Sequence, residues 1–440
     1  MSLERIIAVF LFCVYTTYAE HTSIVTQATQ AKNVEIGSYF YYDASYCANS
    51  TFCYANNWAT AYVAYGFFPE TQDYEFGTFH LNANQALVVE FEIPPSCLYF
   101  AMTPYLLNRT YTSETSADYN LDVFASLMDT ANMYDIEKEC GPNYNGTIRF
   151  IMSPNLYVTQ KMTPSWHTCV IPFNIAGSLL NLGYDDTNDW FALLGRFTVF
   201  DNEREGQHYL HEATTTVERI TLEVETEFFG YPELDKRPDM INEAYLSPLL
   251  ENLEQAVGET MKQAGFHWKK GYSLVPFMQN ISYDSGWSGI NNSQPLLGDN
   301  RDASYFNSPP NSEWLLHPDD FILVLGVLHS TVVKATYNNF QIYDWVNYFG
   351  VTGYMNVQME GSATQFLPHA EDLYVLAFSR NCSALPYVGP CASISETFPN
   401  GIPLTHPVFF VERIYSCPDN WRGPDPTTIL PTQVYYFSNN

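Results

Sequence analysis

Between Asp319 and Trp345, a hydrophobic run is followed by a short polar patch and a second apolar stretch. Phe321–Leu328 (FILVLGVL) is apolar at nearly every position, which is typical of a strand buried on both faces. Val332–Tyr343 is predicted to form the next strand. We therefore expect this part of the chain to lie at the centre of a sheet.

Shorter apolar segments, separated by turn-forming residues, recur along the rest of the chain. Further strands are predicted at Asn84–Ile93, Cys97–Leu107, Leu121–Met128, Thr147–Met152, Cys169–Phe173, Trp190–Phe200, Thr215–Glu227, Tyr354–Met359, Leu373–Phe378, Pro407–Ile414 and Thr432–Phe437. Short helices are predicted at Ser153–Lys161 and Asn174–Leu182. A longer helix is predicted from Ser247, because Pro248 stands at its first position and Gly265 just past its end. The pattern predicts an α+β, β-rich fold with mixed or antiparallel sheets and a few flanking helices.

The chain has 440 residues, enough for more than one domain. Pro and charged residues between Gly230 and Pro238 indicate a crossing between two halves. We predict a signal peptide at 1–19, an N-terminal arm at 20–45, a β-rich domain at 46–228, a linker at 229–240 and an α+β domain at 241–440.

The first residues have the three parts of a secretory signal. Arg5 precedes an apolar core from Ile6 to Tyr15, and small residues stand at Thr17 and Ala19. This layout predicts cleavage after Ala19, and the apolar core is too short to span a bilayer. We therefore expect a secreted protein, located outside the cell or at its surface, without membrane insertion.

The cysteines and sequons fit that location. Cys13 falls in the signal, and the remaining even set predicts disulfides: Cys47, Cys53, Cys97, Cys140, Cys169, Cys382, Cys391 and Cys417. Cys47 with Cys53 and Cys382 with Cys391 would close short loops, although the sequence leaves the pairing open. Six N-x-S/T sequons predict N-glycans at Asn49, Asn108, Asn145, Asn280, Asn291 and Asn381.

The net charge of the chain limits the classes of partner that the protein is expected to bind. With 19 Lys+Arg against 48 Asp+Glu, the net charge is −29, which disfavours nucleic acid and anionic membrane surfaces. Aromatic residues make up 16% of the chain, and exposed rings can stack on sugars or pack in protein interfaces. The partners we expect are further copies of this chain, as a homo-oligomer or filament, or extracellular glycans.

The segment DNEREGQHYLHE has the spacing of a calcium-binding loop, with Asp201, Glu203 and Glu205 at positions 1, 3 and 5 and Glu212 at position 12. We therefore name calcium as a candidate cofactor. An exposed acidic hairpin is favoured over a calcium site, because strands are predicted on both sides. His208 and His211 offer zinc only two ligands.

A second group of reactive side chains could form a polar pocket: Arg301, Asp302, His329, Lys334 and Tyr337. Adjacent residues on a strand point to opposite faces, so Ser330 would not reach His329 as a nucleophile reaches its base. The sequence also lacks a lipase elbow, a phosphate loop, a dinucleotide fingerprint and an HExxH motif. We favour a structural role for this group and predict no catalytic residue.

Short patches along most of the chain resemble a functionally uncharacterised family of secreted two-domain proteins of bacteria and photosynthetic eukaryotes. The patches are Cys97–Asn108, Val123–Asn132, Asp189–Phe200, Gly298–Tyr305, Pro318–Tyr337, Glu360–Pro368, Tyr374–Cys382 and Gly401–Tyr415. Where that family has an Asn before the His and a Thr-Gly before the Lys, this chain has Leu328 and Val332-Val333. The resemblance implies a secreted two-domain protein and brings no activity with it. The acidic, glycosylated character is also similar to subunits of extracellular protein filaments.

These observations favour a secreted, disulfide-bonded, N-glycosylated structural protein that assembles into filaments. The Thr-rich arm from Glu20 to Ile36 would add a strand to the exposed sheet edge of a neighbour. The alternative is an extracellular glycan-binding protein or glycan-active hydrolase that uses exposed aromatic residues and paired carboxylates.

Overall fold

The computed structural model describes residues 31–42, 56–68, 70, 77–112, 117–163, 168–238, 241–277, 286–333, 335–385, 389–417 and 421–438. Strands account for 42% of it and helices for 19%, arranged as four mixed or antiparallel sheets with few helices. This confirms the β-rich α+β fold. The signal peptide, residues 20–30 of the arm, Cys47, Asn49, Cys53, Asn280 and Lys334 lie outside the described residues. No helix within the described ranges is long and apolar enough to cross a membrane.

The first half is a sandwich of two sheets. Its outer sheet has the order β1 (Ala31–Ile36), β11 (Thr215–Leu222), β4 (Gln85–Glu92), β8 (Thr147–Ser153) and β9 (Cys169–Asn174). Its inner sheet has the order β2 (Ser38–Tyr42), β3 (Thr60–Gly66), β10 (Trp190–Phe200), β5 (Cys97–Tyr111) and β6 (Tyr119–Ser126), with β7 (Ala131–Asn132) beside β5. Apolar side chains from both sheets form one core.

The second half is a sandwich of the same kind. Its outer sheet has the order β12 (His267–Ser273), β22 (Gln433–Ser438), β16 (Phe321–Val327), β19 (Leu373–Ser379) and β20 (Cys391–Ser393). Its inner sheet has the order β13 (Val275–Pro276), β14 (Ala303–Asn307), β21 (Pro407–Tyr415), β17 (Tyr337–Asp344) and β18 (Phe349–Met355), with β15 (Trp314–Leu315) beside β21.

The two halves have the same topology. In each outer sheet, the first strand of the half pairs with the last, and the far edge is the sheet's one parallel pair, β8 with β9 and β19 with β20. In each inner sheet, the third strand of the half lies between the second strand and the next-to-last strand. The chain therefore contains two copies of one sandwich, whose inner sheets face each other through a shared buried cluster.

The helices fill gaps around the sheets. They are α1 (Met133–Cys140), α2 (Leu156–Met162), α3 (Glu203–Glu212), α4 (Ser247–Gln263), α5 (Gly286–Asn291), α6 (His329–Val332) and α7 (Asn356–Met359), with 3-10 turns at Gly177–Leu179, Glu243–Leu246, Cys382–Ala384 and Pro426–Thr428. The predicted long helix is confirmed as α4, with Pro248 in its first turn. Its buried side chains cover the outer sheet of the second half.

The apolar run that dominates the sequence forms β16, and every residue of β16 is buried between the sandwich core and α4. The strand after it begins later than predicted, at Tyr337 in place of Val332. His329–Val332 forms one helical turn, because the chain must leave the outer sheet and cross to the inner one here.

Part of the predicted arm belongs to the first sandwich. Ala31–Ile36 pairs antiparallel with β11, and Ser38–Tyr42 pairs with β3. The segment Ala31–Ile36 thus adds a strand to a sheet of its own chain, which corrects the expectation that the arm pairs with a neighbour as far as Ile36.

Candidate functional site

Among the described residues, many buried polar side chains lie where the two inner sheets meet, and the arrangement is built twice. On β10, Arg196 pairs in register with Tyr62 of β3 and Ala101 of β5. On β21, Arg413 pairs in register with Tyr305 of β14 and Asn339 of β17. The strand registers therefore make Arg196 equivalent to Arg413.

The side chains around each arginine are equivalent too. The Arg196 guanidinium lies 6.0 Å from the ring of Tyr62 and 5.4 Å from that of Tyr105. The Arg413 guanidinium lies 5.7 Å from the rings of both Tyr305 and Tyr343. These distances are in the range of cation–π attraction.

Hydrogen bonds to each guanidinium follow the same pattern. Arg196 donates from Nη1 to Thr103 Oγ1 at 3.0 Å, and Arg413 donates from Nη1 to Gln341 Oε1 at 2.5 Å. Thr103 and Gln341 occupy the same position on β5 and β17, two residues beyond the partners of the arginines. Arg196 also donates to the Gly298 carbonyl of the other half at 3.1 Å.

Each half inserts a short segment into the other. Asp299 and Asn300 precede β14, and their contacts are in the first half: Tyr105 donates its hydroxyl to the Asp299 carbonyl at 2.7 Å, and Asn300 Nδ2 donates to Tyr99 at 3.1 Å. In addition, the Ser126 N–H donates to Asp299 Oδ1 at 2.6 Å.

The segment before β3 makes the same three contacts in the second half. Tyr343 donates its hydroxyl to the Asn56 carbonyl at 2.8 Å, and Asn57 Nδ2 donates to Tyr337 at 3.3 Å. The Gly350 N–H donates to Asn56 Oδ1 at 2.8 Å. We call these two reciprocal sets of contacts the interdomain clasp; its segments are Asn56–Asn57 and Asp299–Asn300.

The clasp holds fixed positive charge among neutral hydroxyls. Arginine remains protonated at any accessible pH. Burial raises the pKa values of Tyr99, Tyr105 and Tyr337, so these phenols remain protonated near neutral pH and able to donate. Burial also raises the pKa of Asp299, although its bonds to Ser126 oppose the shift.

An ion cluster lies beside the clasp and includes two residues of the predicted polar pocket. Arg422 Nη1 is 2.7 Å from Asp302 Oδ1, and its Nη2 is 2.8 Å from Asp235 Oδ2. Arg301 Nε is 2.5 Å from Asp129 Oδ1. The cluster therefore joins both halves and the segment between them.

The predicted pocket is thus divided among three environments. Arg301 and Asp302 lie in the ion cluster, and Tyr337 lies in the clasp. His329 is fully buried inside the second sandwich, with Nδ1 2.7 Å from Glu243 Oε1 and Nε2 3.4 Å from Glu412 Oε1. Lys334, the fifth member, is outside the described residues.

His329 is held as a buried cation between two carboxylates. Burial alone lowers the pKa of the imidazole, but Glu243 and Glu412 outweigh burial and raise the pKa to about 10. Tyr374 donates its hydroxyl to Glu412 Oε1 at 2.9 Å. With His329 and both glutamates at 0% exposure, this arrangement stabilises the core and is closed to any substrate.

The acidic segment proposed for calcium is helical. Glu203–Glu212 forms α3, capped by Asn202, which corrects the expectation of a hairpin. A helix spreads side chains around its axis, so Glu203, Glu205 and Glu212 do not converge as the oxygen ligands of a calcium loop do. Asp201 accepts a hydrogen bond from Ser96 at 2.6 Å. Nowhere in the described ranges do three His, Cys, Asp or Glu side chains form a group that could hold a metal ion.

Two disulfides are present among the residues that the structure describes, and they occupy equivalent places. Cys382–Cys391 is the short bridge considered from the sequence, and Cys140–Cys169 is the other. Each disulfide links the parallel edge strand of an outer sheet, β9 or β20, to a helical segment: α1 in the first half and the 3-10 turn Cys382–Ala384 in the second. Cys97 is a thiol outside these bridges, which corrects its predicted pairing; burial raises its pKa to about 12. Cys417 is buried after β21.

The sequons divide by exposure. Asn145, Asn291 and Asn381 are exposed, as a glycan requires. Asn108 is 6% exposed and donates from Nδ2 to Asp122 at 2.8 Å, so the folded protein has no room for a glycan there.

Sequence reasoning did not find the clasp, although two signals were present. Tyr99 and Tyr105 repeat the spacing of Tyr337 and Tyr343, and the segment NNWATAY at 56–62 parallels DNRDASY at 299–305. The repeats are separated by more than two hundred residues and share few identities. Only the strand registers align them.

Comparison with known proteins gives no family. No family model matches the chain, and no curated protein matches it. Among solved structures, it is similar to an uncharacterised protein from Burkholderia cenocepacia, with 10% identity, a TM-score of 0.40 and coverage of 88% of this chain and 78% of that one. It is also similar to the VPA0106 protein from Vibrio parahaemolyticus, with 12% identity, a TM-score of 0.37 and coverage of 87% and 90%. We take nothing about function from these two similarities.

Proposed function

We propose that this is a secreted, disulfide-bonded, N-glycosylated structural protein of the cell surface or extracellular space. The observation that carries the proposal is the interdomain clasp. Its tyrosines and asparagines bond reciprocally across the two halves, so they serve cohesion. A molecule whose two halves are joined by such contacts is suited to carrying mechanical load, and to keeping its shape, within an assembly.

The closed environment of His329 supports a non-catalytic role. General acid–base catalysis needs a group within hydrogen-bond reach of a substrate proton. His329 and its two glutamates are fully buried and bonded to one another. The arrangement therefore contributes to folding rather than to turnover.

Secretion and glycosylation can be tested together. Expression of residues 1–440 in a eukaryotic secretory host should release protein that begins at Glu20. Peptide mapping after glycosidase treatment should find glycans at the exposed Asn145, Asn291 and Asn381 and leave Asn108 unmodified. Retention of the protein inside the cell, without glycans, would refute this part of the proposal.

Assembly into filaments by N-terminal strand addition is part of the same proposal. Ala31–Ile36 pairs with β11 of its own chain, so the segment available for a neighbour is Glu20–Gln30. Deleting residues 20–30 should abolish filaments seen by electron microscopy while leaving the melting temperature unchanged. Filaments that persist after this deletion, or a strictly monomeric full-length protein, would contradict the proposal.

Binding of extracellular glycans is the second candidate function. The observation that favours it is a cavity of about 400 Å³ at the rim of the inner sheet of the second half, with Trp345, Tyr348 and Phe409 in its wall. A glycan array probed with the secreted protein tests this function. The absence of any bound glycan would exclude it without affecting the structural proposal.

A further inference from the structure

The cavity beside Arg413 has the composition of a small-molecule site. The rings of Trp345 and Tyr348 are 5.2 Å apart, and both contact Phe409, at 5.2 and 5.9 Å between ring centres. Arg413, Tyr305 and Asn307 also line the cavity. Its volume of about 400 Å³ lies in the range of ligand pockets, which combine apolar walls with a few polar groups.

Because the fold is duplicated, each residue of the cavity can be compared with the residue at the equivalent position of the first half. The comparison distinguishes residues that the fold itself requires from residues that occur only at this cavity. Residues that hold the halves together are the same in both copies: Arg196 matches Arg413, Tyr62 matches Tyr305, Tyr105 matches Tyr343, Asn57 matches Asn300. If the cavity were merely a by-product of the scaffold, its residues should match as well.

They do not match. In the same strand registers, Asn307 stands where the first half has Ala64, and Phe409 where it has Ala192. Trp345 follows the end of β17 directly, as Leu107 follows Leu106 on β5. The first-half residues are buried in an apolar cluster. The second half therefore has aromatic rings and an amide where the first half has small or aliphatic residues, and all of them lie in the wall of this cavity.

The loop that carries the rings of Trp345 and Tyr348 is held in place by a buried carboxylate. Asp344 is fully buried, and its Oδ1 accepts from the Val346 N–H at 2.9 Å. Its Oδ2 accepts from Asn347 Nδ2 at 2.7 Å and lies 2.9 Å from His406 Nδ1. The first half has Leu106 at this place. A buried carboxylate costs free energy unless it is bonded, and here its bonds fix the turn between Trp345 and Tyr348.

We propose that this cavity binds a neutral oligosaccharide, an inference that rests on the second candidate function above. Aromatic rings offer flat faces for the C–H side of a sugar ring. Sugar hydroxyls donate hydrogen bonds, and Asn307 Oδ1, a buried atom with no hydrogen-bond partner, supplies an acceptor for one of them. The net charge of −29 repels acidic polysaccharides at long range, which favours a neutral ligand.

The test is calorimetric titration of the full-length secreted protein with cellotetraose and maltotetraose as neutral probes and tetragalacturonate as the acidic one. We expect at least one neutral probe to bind. Three variants place the first-half residue at each cavity position: Trp345→Leu, Phe409→Ala and Asn307→Ala. Trp345→Leu should weaken binding about tenfold or more, because it removes a stacked ring.

The matched control is Trp268→Leu, since Trp268 is 58% exposed on β12 and outside the cavity wall; it should bind as the unmodified protein does. Melting temperatures show whether each variant folds, and Asn307→Ala, the smallest change, tests the site if Phe409→Ala does not fold. Full binding by Trp345→Leu would overturn the site while leaving glycan binding in place. Tighter binding of tetragalacturonate, or no binding of either neutral probe, would overturn the inference as a whole.

Discussion

At the scale of single residues, this protein buries charged side chains and pairs several of them with an opposite charge nearby. His329 lies between Glu243 and Glu412, and Arg422 joins Asp302 to Asp235. Such groups contribute little net stability as intact pairs, but removing one partner leaves an uncompensated buried charge. Their effect is therefore best seen by breaking them one at a time.

The pH dependence of stability should reveal the His329 cation. Its folded pKa, about 10, lies above the ordinary value near 6.5. A raised folded pKa contributes stability that is fully present below about pH 6.5 and is lost as the pH rises towards 10. The free-energy difference between the unmodified protein and His329→Gln, measured by urea unfolding, should be largest at pH 6 and shrink by pH 10. A difference that is constant over this interval would contradict the buried imidazolium.

The Arg422 cluster gives a prediction that a second substitution can check. Arg422→Met should lower the free energy of unfolding by about 3–5 kcal/mol, because it leaves the Asp302 carboxylate buried without its cation. Adding Asp302→Asn should recover part of the loss. Denaturant unfolding of the single and double variants measures both values, and a double variant less stable than Arg422→Met would argue against the pairing.

At the scale of elements, the edges of the outer sheets are protected in both halves. The first strands, β1 and β12, each carry an irregularity in pairing at a lysine, Lys32 and Lys269. Bulges and lysines discourage pairing with foreign strands. At the opposite edges, the parallel strands β9 and β20 are each attached by a disulfide. Strand addition by a neighbour would have to overcome these features.

The disulfides Cys140–Cys169 and Cys382–Cys391 should contribute unequally to the free energy of unfolding. Cys140 and Cys169 are 29 residues apart, and Cys382 and Cys391 are 9 apart. In the chain-entropy account, the longer loop restricts the unfolded chain more, by about 1 kcal/mol between these two cases. Replacing both members of the first pair by Ala should therefore lower the urea midpoint more than replacing both members of the second. The reverse order would show that strain or unfolded-state structure dominates.

At the scale of the whole molecule, the halves complete each other. Beyond the clasp, α5 and the residues after it leave the second half and supply Trp287, Ile290 and Leu296 to the core of the first. Trp287 donates from Nε1 to the Leu127 carbonyl at 2.9 Å. Gly286 packs against the Ser126 backbone so closely that a Cβ would collide with it. The first sandwich is therefore not an independent unit.

Residues 20–238 expressed alone should aggregate or unfold without cooperativity, because part of their core comes from residues 286–296. Within the full chain, Trp287→Ala should cost about 3–5 kcal/mol, as for other large buried side chains, and the exposed Trp268→Ala should cost less than about 0.5 kcal/mol. Circular dichroism during heating measures all three. A fragment that melts cooperatively near the temperature of the full chain would contradict the interdependence.

The sequence by itself determined the β-rich class, the buried strand at Phe321 and the helix that begins near Pro248. It offered Cys382 with Cys391 as a short-loop pairing and left the choice of pairing open. These follow from local rules: apolar periodicity, helix-start residues and loop closure depend on neighbours in the chain. The acidic helix at Glu203 was missed for a related reason. A calcium-loop spacing and a charged helical face use the same residues, and the choice depends on packing against β10.

Only the tertiary structure decided which polar residues meet. It separated His329 from Arg301 and Tyr337, and it brought Arg196 and Arg413 into equivalent places across an interface. These pairings join residues about two hundred positions apart, and they are set by strand register and by which sheet faces which. That information is not contained in any short window of the chain, so the clasp and the cavity beside it emerged only when the two sandwiches were seen together.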